Sequence, residues 1–70
     1  MQMHAVSSTN LHSVGYDPVS HTLRVQFRSG SVYEYDGIGA AVFQSLMAAE
    51  SKGKHFRQFI SSSHEGRRIV

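Results

Sequence analysis

The chain has 70 residues, no cysteine, 40% hydrophobic and 17% charged residues, and a formal net charge of +2 with histidines neutral. So short a chain holds one domain with a thin stability margin, has neither disulfides nor thiolate metal sites, and is too apolar and too weakly charged for a disordered tail. A multidomain enzyme and a disulfide mini-protein are excluded with it.

The first residues, Met1 to Val6, carry neither the basic n-region nor the apolar h-region of a secretory signal. No apolar run approaches the ~18–20 residues that a membrane span needs. The expectation is a soluble cytoplasmic protein with no membrane contact. Leu11 to Tyr16 reads as a short strand, ended by the turn initiator Asp17-Pro18.

From Leu23 to Tyr35 the pattern is a β-hairpin. Leu23, Val25 and Phe27 alternate with Arg24, Gln26 and Arg28, and a second run holds Val32, Tyr33 and Tyr35. A two-residue loop at Ser29-Gly30 would set the tyrosines on the face of Arg24 and Gln26. A three-residue loop, Arg28-Ser29-Gly30, instead opposes Val25 to Tyr33 and Leu23 to Tyr35, gathering all five large apolar or aromatic side chains on one face. Burial selects the second register, with Gly30 at positive φ.

Beyond Asp36-Gly37-Ile38-Gly39 the spacing changes. Ile38, Val42, Phe43, Leu46, Met47 and Ala49 follow three- and four-residue steps, the signature of an amphipathic helix from Ala40. Gly53 is placed to end it in a left-handed cap, with Lys52 at the negative end of its dipole. A second short helix should carry Phe56, Phe59 and Ile60 on one face, followed by a solvated loop at Ser61-Ser62-Ser63. The tail Arg67-Arg68-Ile69-Val70 reads either as a frayed end or as a last edge strand. The expected class is α+β: a small antiparallel sheet, β-β-β with room for a fourth edge strand, and two helices packed on one face.

In this order the residues resemble the KTSC domain, a family found at the C-terminus of some lysyl-tRNA synthetases and as small stand-alone proteins of bacteria and phages. The matching features are Ser7-Ser8, Val14-Gly15-Tyr16-Asp17, the Leu23/Val25/Phe27 strand, Gly30, Tyr33-Glu34-Tyr35, Ala49 with Ser51-Lys52-Gly53-Lys54, Phe56 and Ile60. The resemblance implies one domain over residues 1–70 with a core at about 7–69. Three positions depart from the family pattern: Gly39 stands where proline is usual, Arg57 where asparagine is, and His64 where an aromatic is. What the resemblance implies about function is RNA binding, through the family's company with a tRNA synthetase.

Charge points the same way. Residues 1–50 set Arg24 and Arg28 against Asp17, Glu34, Asp36 and Glu50, a net of −2, whereas residues 51–70 set Lys52, Lys54, Arg57, Arg67 and Arg68 against Glu65, a net of +4. Such asymmetry speaks to partners rather than fold. Ser51-Lys52-Gly53-Lys54 reads as an anion site, two ammonium groups at the start of a helix, or as a helix cap with a solvated charge run. It is not a P-loop, because Ala48 and His55 stand where glycine and Ser/Thr are required. If the tail folds back, Arg67 and Arg68 join Lys52, Lys54 and Arg57 in one basic patch, which Arg24 and Arg28 extend only if their hairpin face points the same way. Tyr33 and Tyr35 are either a base-stacking platform or a cross-strand core pair.

Catalysis is not expected. The histidines at 4, 12, 21, 55 and 64 show no pairing at metal-ligand spacing, and no nucleophile elbow accompanies Asp17 and Asp36. Neither a metal nor a cofactor is called for. The expected function is a non-catalytic module that contacts RNA or another phosphate-bearing ligand through Ser51, Lys52, Lys54 and Arg57, with Tyr33 and Tyr35 as support or platform. Two alternatives stand beside it: an oligomeric protein, of the kind a phage could encode, that sequesters a small nucleotide, and a protein-interaction adaptor.

Overall fold

A computed structural model describes all 70 residues. The chain runs β1 (Met3–Ala5), β2 (Leu11–Asp17), β3 (Thr22–Phe27), β4 (Val32–Tyr35), α1 (Ala40–Ala48), α2 (Lys52–Phe56) and β5 (Arg67–Arg68). The strands form one antiparallel sheet in the order β1-β2-β3-β4-β5. It is a small α+β domain with two helices over one face of the sheet, and no helix is long and apolar enough to cross a membrane.

The hairpin register is the one that burial selects. Leu23 opposes Tyr35 and Val25 opposes Tyr33, the Phe27 amide donates to the Ser31 carbonyl, and Gly30 takes φ +98°. The alternation then separates two faces. Val14, Leu23, Val25 and Tyr35 turn toward the helices and join Leu11, Ile38, Leu46, Phe56 and Ile60 in the core. Arg24, Gln26 and Glu34 take the opposite, open face, where Glu34 receives Arg24 and Arg67. The Asp17-Pro18 turn closes as an Asx turn, with Asp17 Oδ1 accepting from the Val19 amide at 2.9 Å.

Three local expectations are corrected and an open one, the tail, is decided. Met3–Ala5 is a strand on the sheet edge; its three residues carry no alternation to announce it. The tail is the edge strand β5 rather than a frayed end, pairing Arg68 with Tyr33 and Arg67 with Glu34. Gly53 does not end α1. That helix stops at Ala48 with Ala49 as an extended cap, and Gly53 lies inside α2, outside the left-handed region. The reason for glycine there is a close approach: a Cβ on Gly53 would stand 3.1 Å from Ser8 Oγ.

The third correction concerns Phe59. α2 continues without a break into a π-helical turn, Arg57–Ser61. The wider i→i+5 winding brings Ile60 under Phe56 and swings Phe59 out of the core face, so that Phe56 and Ile60 are buried while Phe59 is 52% exposed. The serine run is solvent-exposed as expected, with Ser61 ending the π turn and Ser62 and Ser63 in the turn after it, and it is tied back to the helix. Ser61, Ser62 and Ser63 donate their hydroxyls back to the carbonyls of Arg57, Gln58 and Phe59 at 3.4, 2.6 and 3.0 Å, a pattern that loosens and bends helices.

Candidate functional site

Phe56 is the anchor from which the site is built. Its ring makes edge contacts with Phe27 and Tyr35 at centroid separations of 5.8 and 5.3 Å, which pins α2 across the sheet. Residues three and four apart share a helix face. With Phe56 and Ile60 facing the sheet, Lys54 and Arg57 present one outer face, and His55 and Phe59 present the neighbouring one.

The Lys54/Arg57 face meets the β1–β2 loop. Together they form a cleft of about 220 Å³ lined by ten residues, none of them apolar: Ser7, Ser8, Thr9 and Asn10 on one wall, and Glu50, Ser51, Lys52, Gly53, Lys54 and Arg57 on the other. Ser8 organises the first wall, its hydroxyl accepting from the amides of Asn10 and Leu11 at 3.3 and 3.2 Å. Ser51 organises the second as the N-cap of α2, its hydroxyl accepting from the Lys54 amide at 3.4 Å. Lys52 bends back and donates to the Ala49 carbonyl at 3.0 Å, closing the end of α1.

The charges at this cleft are not spent on one another. The ion pairs of the molecule lie on the open sheet face, where Glu34 and Asp36 hold Arg24 and Arg67. Lys52, Lys54 and Arg57 have no carboxylate within ion-pair distance, and Glu50 is the one acid among the lining residues. A fourth cation, Arg28, braces the loop from behind: its Nε donates to the Ser8 carbonyl at 2.7 Å, and its amide to the Asn10 carbonyl at 2.9 Å. The Arg24 hydrogen bond, followed by that of Arg67, holds the Glu34 carboxyl below the usual carboxylate range. The Arg67 hydrogen bond does the same for Asp36.

The structure therefore brings Ser51, Lys52, Lys54 and Arg57 together and separates the tyrosines from them. Tyr35 is 6% exposed, packed on Phe56 on one side and covered by Gly66 on the other. Desolvation raises its phenol above the ordinary tyrosine pKa. It offers no face to a base. Tyr33 is half-buried, with its ring edge-on to Phe27 at 5.7 Å. Arg67 is held by Asp36 and Glu34, Arg68 donates its Nε to the Val70 carbonyl, and neither lines the cleft, so the five-residue patch is reduced to the helix-borne Lys52, Lys54 and Arg57. The Ser7–Asn10 wall, Glu50 and Phe59 carry no local signal of their place. Only the sheet topology brings residues 7–10 against α2.

The family model of the KTSC domain matches residues 7–64. An uncharacterized protein of Stutzerimonas stutzeri is 41% identical over 64 residues, 91% of this chain and 90% of that protein. A lysine–tRNA ligase of Nostoc punctiforme is 47% identical over 45 residues, which are 64% of this chain but only 8% of the ligase. The crystal structure of a KTSC domain protein from Yersinia pestis superposes with a TM-score of 0.94 at 38% identity, covering 99% of this chain and 97% of that one.

Proposed function

This chain belongs to the KTSC domain family, and on that premise we propose that it is a non-catalytic module that binds single-stranded RNA by its phosphates, working in the cytoplasm. The observation that carries the reading is the pair Lys54 and Arg57. Both are cations without carboxylate partners, on one helix face that opens onto a wholly polar cleft. An exposed cation cluster left unneutralised beside hydroxyl and amide donors has the chemistry of a phosphodiester site. The likeness of residues here to a segment of lysine–tRNA ligases, enzymes that act on an RNA, supports RNA over other polyanions.

The test is a titration with mixed-sequence single-stranded RNA at increasing salt, run beside cyclic dinucleotides. Phosphate contacts release counterions. Engagement of Lys52, Lys54 and Arg57 predicts that log K falls with log[salt] at a slope of about −2, from ~0.7 per phosphate on a single strand. Tight, salt-insensitive binding of a cyclic dinucleotide, with no affinity for RNA, would overturn the proposal in favour of a nucleotide-sequestering protein. Binding to neither, with a persistent dimer in light scattering, would overturn it in favour of an adaptor.

A further inference from the structure

Of the exposed large hydrophobic residues, Met1, Ile69 and Val70 lie at the termini and Val19 in the β2–β3 turn, whereas Phe59 sits in the middle of a packed helical segment. The π winding puts it there, and π turns inside helices concentrate at functional sites. Phe59 does not stand alone. The His55 imidazole lies 4.7 Å from its ring centroid at a 45° tilt, so the two form a continuous aromatic surface one helix face away from Lys54 and Arg57. This surface borders two openings. One, of about 390 Å³, runs between α1 and the π turn and is lined by Ala41, Val42, Ser45, His55 and Phe59. The other is bordered by Ser51, Lys54, His55 and Phe59 among its lining residues. Lys54 and Ser51 also line the polar cleft, so the cationic and aromatic surfaces share a border.

We infer that His55 and Phe59 form a stacking platform for one base of the RNA strand whose phosphates occupy the Lys54/Arg57 cleft. The inference rests on the RNA reading above and adds to it the part that the buried Tyr35 does not supply. The occupant follows from the arrangement. The exposed Phe59 ring, flanked by the tilted His55 imidazole, can hold a base by its π-face whatever its identity, and a cation bordering that ring is where the phosphate of the same nucleotide falls. An apolar peptide would match the aromatic surface but leave Lys54 and Arg57 without counter-charge. A polyanion without bases would satisfy the cations but leave Phe59 in water. A single-stranded nucleotide unit satisfies both, and the openness of the platform along α2 suits a passing strand. Recognition is therefore expected to be tolerant of base identity.

The experiment compares two ligands of equal length: a mixed-sequence single-stranded RNA oligomer and an abasic oligomer with the same phosphodiester backbone. Wild type should bind the RNA more tightly than the abasic strand by roughly five- to 150-fold, the range of one base–aromatic stack. Phe59→Ala should reduce RNA affinity to the abasic level and leave abasic affinity unchanged, whereas Lys54→Ala should weaken both ligands. Phe59 is exposed, so the alanine variant keeps its core. Phe59→Trp adds a direct readout: it should retain RNA affinity, and its fluorescence should be quenched by RNA and not by the abasic strand. Equal binding of the two ligands by wild type, unaffected by Phe59→Ala, would overturn the platform while leaving the phosphate site standing. Binding of neither ligand would overturn the RNA reading and the platform with it.

Discussion

Gly53→Ala tests the architecture of the cleft, because the sign of its effect depends on a single neighbour. In an open helix the change would stabilise the protein by up to about 1 kcal/mol, the difference in helix propensity between alanine and glycine. Here the new Cβ would stand 3.1 Å from Ser8 Oγ, with no other atom outside the neighbouring chain within 4 Å. Ser8 Oγ must give way by a few tenths of an ångström, yet it accepts from the amides of Asn10 and Leu11 at 3.3 and 3.2 Å, already near the limit of such bonds. Breaking both costs about 1–3 kcal/mol, at ~0.5–1.5 for each. Set against the propensity gain, Gly53→Ala should lie between neutral and about 2 kcal/mol destabilising. In a Ser8→Ala background the obstructing oxygen is gone, and the same change should stabilise by up to ~1 kcal/mol. Urea unfolding of the wild type, the two single variants and the double variant measures the coupling directly. If Gly53→Ala stabilises equally in both backgrounds, the β1–β2 loop does not rest on α2 and the cleft is not built as described.

Three further outcomes follow from the same geometry. Gly39→Pro should stabilise by about 0.4–1 kcal/mol, because Gly39 already has φ −69°, its amide donates to no backbone acceptor, and nothing crowds its Cβ position; a lower urea midpoint would contradict the entry geometry of α1. Gly66→Ala should cost about 1–3 kcal/mol by overpacking, since its Cβ would lie 2.6 and 2.7 Å from the Tyr35 ring, which is itself wedged against Phe56; an unchanged midpoint would show that β5 does not cover Tyr35. The Glu34 and Asp36 pKa values are depressed by their arginine partners, so their contribution is complete above the ordinary carboxylate range of ~4 and is lost as pH falls through the lower folded values. Thermal unfolding should therefore be flat from neutral pH to ~5 and fall below it, and Glu34→Gln should flatten that acid limb; an identical limb in the variant would remove the Arg24–Glu34–Arg67 network from the account.

What could be read from the residues alone was whatever depends on neighbours in the chain. The β3–β4 register follows from local alternation plus a glycine free to take positive φ, and both are sequence properties of Leu23–Tyr35. Ser51, Lys52 and Lys54 lie within one short segment, so their convergence with Arg57 on one helix could be anticipated. The features that could not be read depend on contacts across the fold or on departures from ideal winding. Gly53 resembles a helix terminator until Ser8, on a distant loop, is seen beside it. Phe59 reads as core on α-helical spacing and is turned outward by the π winding. Arg67 joins the basic patch only on the condition that the tail folds back; it does fold back, as β5 on β4, but that docking gives Arg67 to Asp36 and Glu34. Tyr33 and Tyr35 admit two readings from the sequence because a strand pattern places a side chain on a face without saying what covers it; Phe56 and Gly66 cover Tyr35.

The most direct test of the central claim is residue-resolved: amide chemical shifts of the 70-residue chain, recorded while single-stranded RNA is added at low salt. Phosphate binding in the cleft should concentrate the perturbations at Ser7–Asn10 and Ser51–Arg57, its two walls, and they should fade as salt is raised. Shifts confined to Arg24, Glu34 and Arg67 on the open sheet face, or no shifts at any RNA concentration, would contradict it.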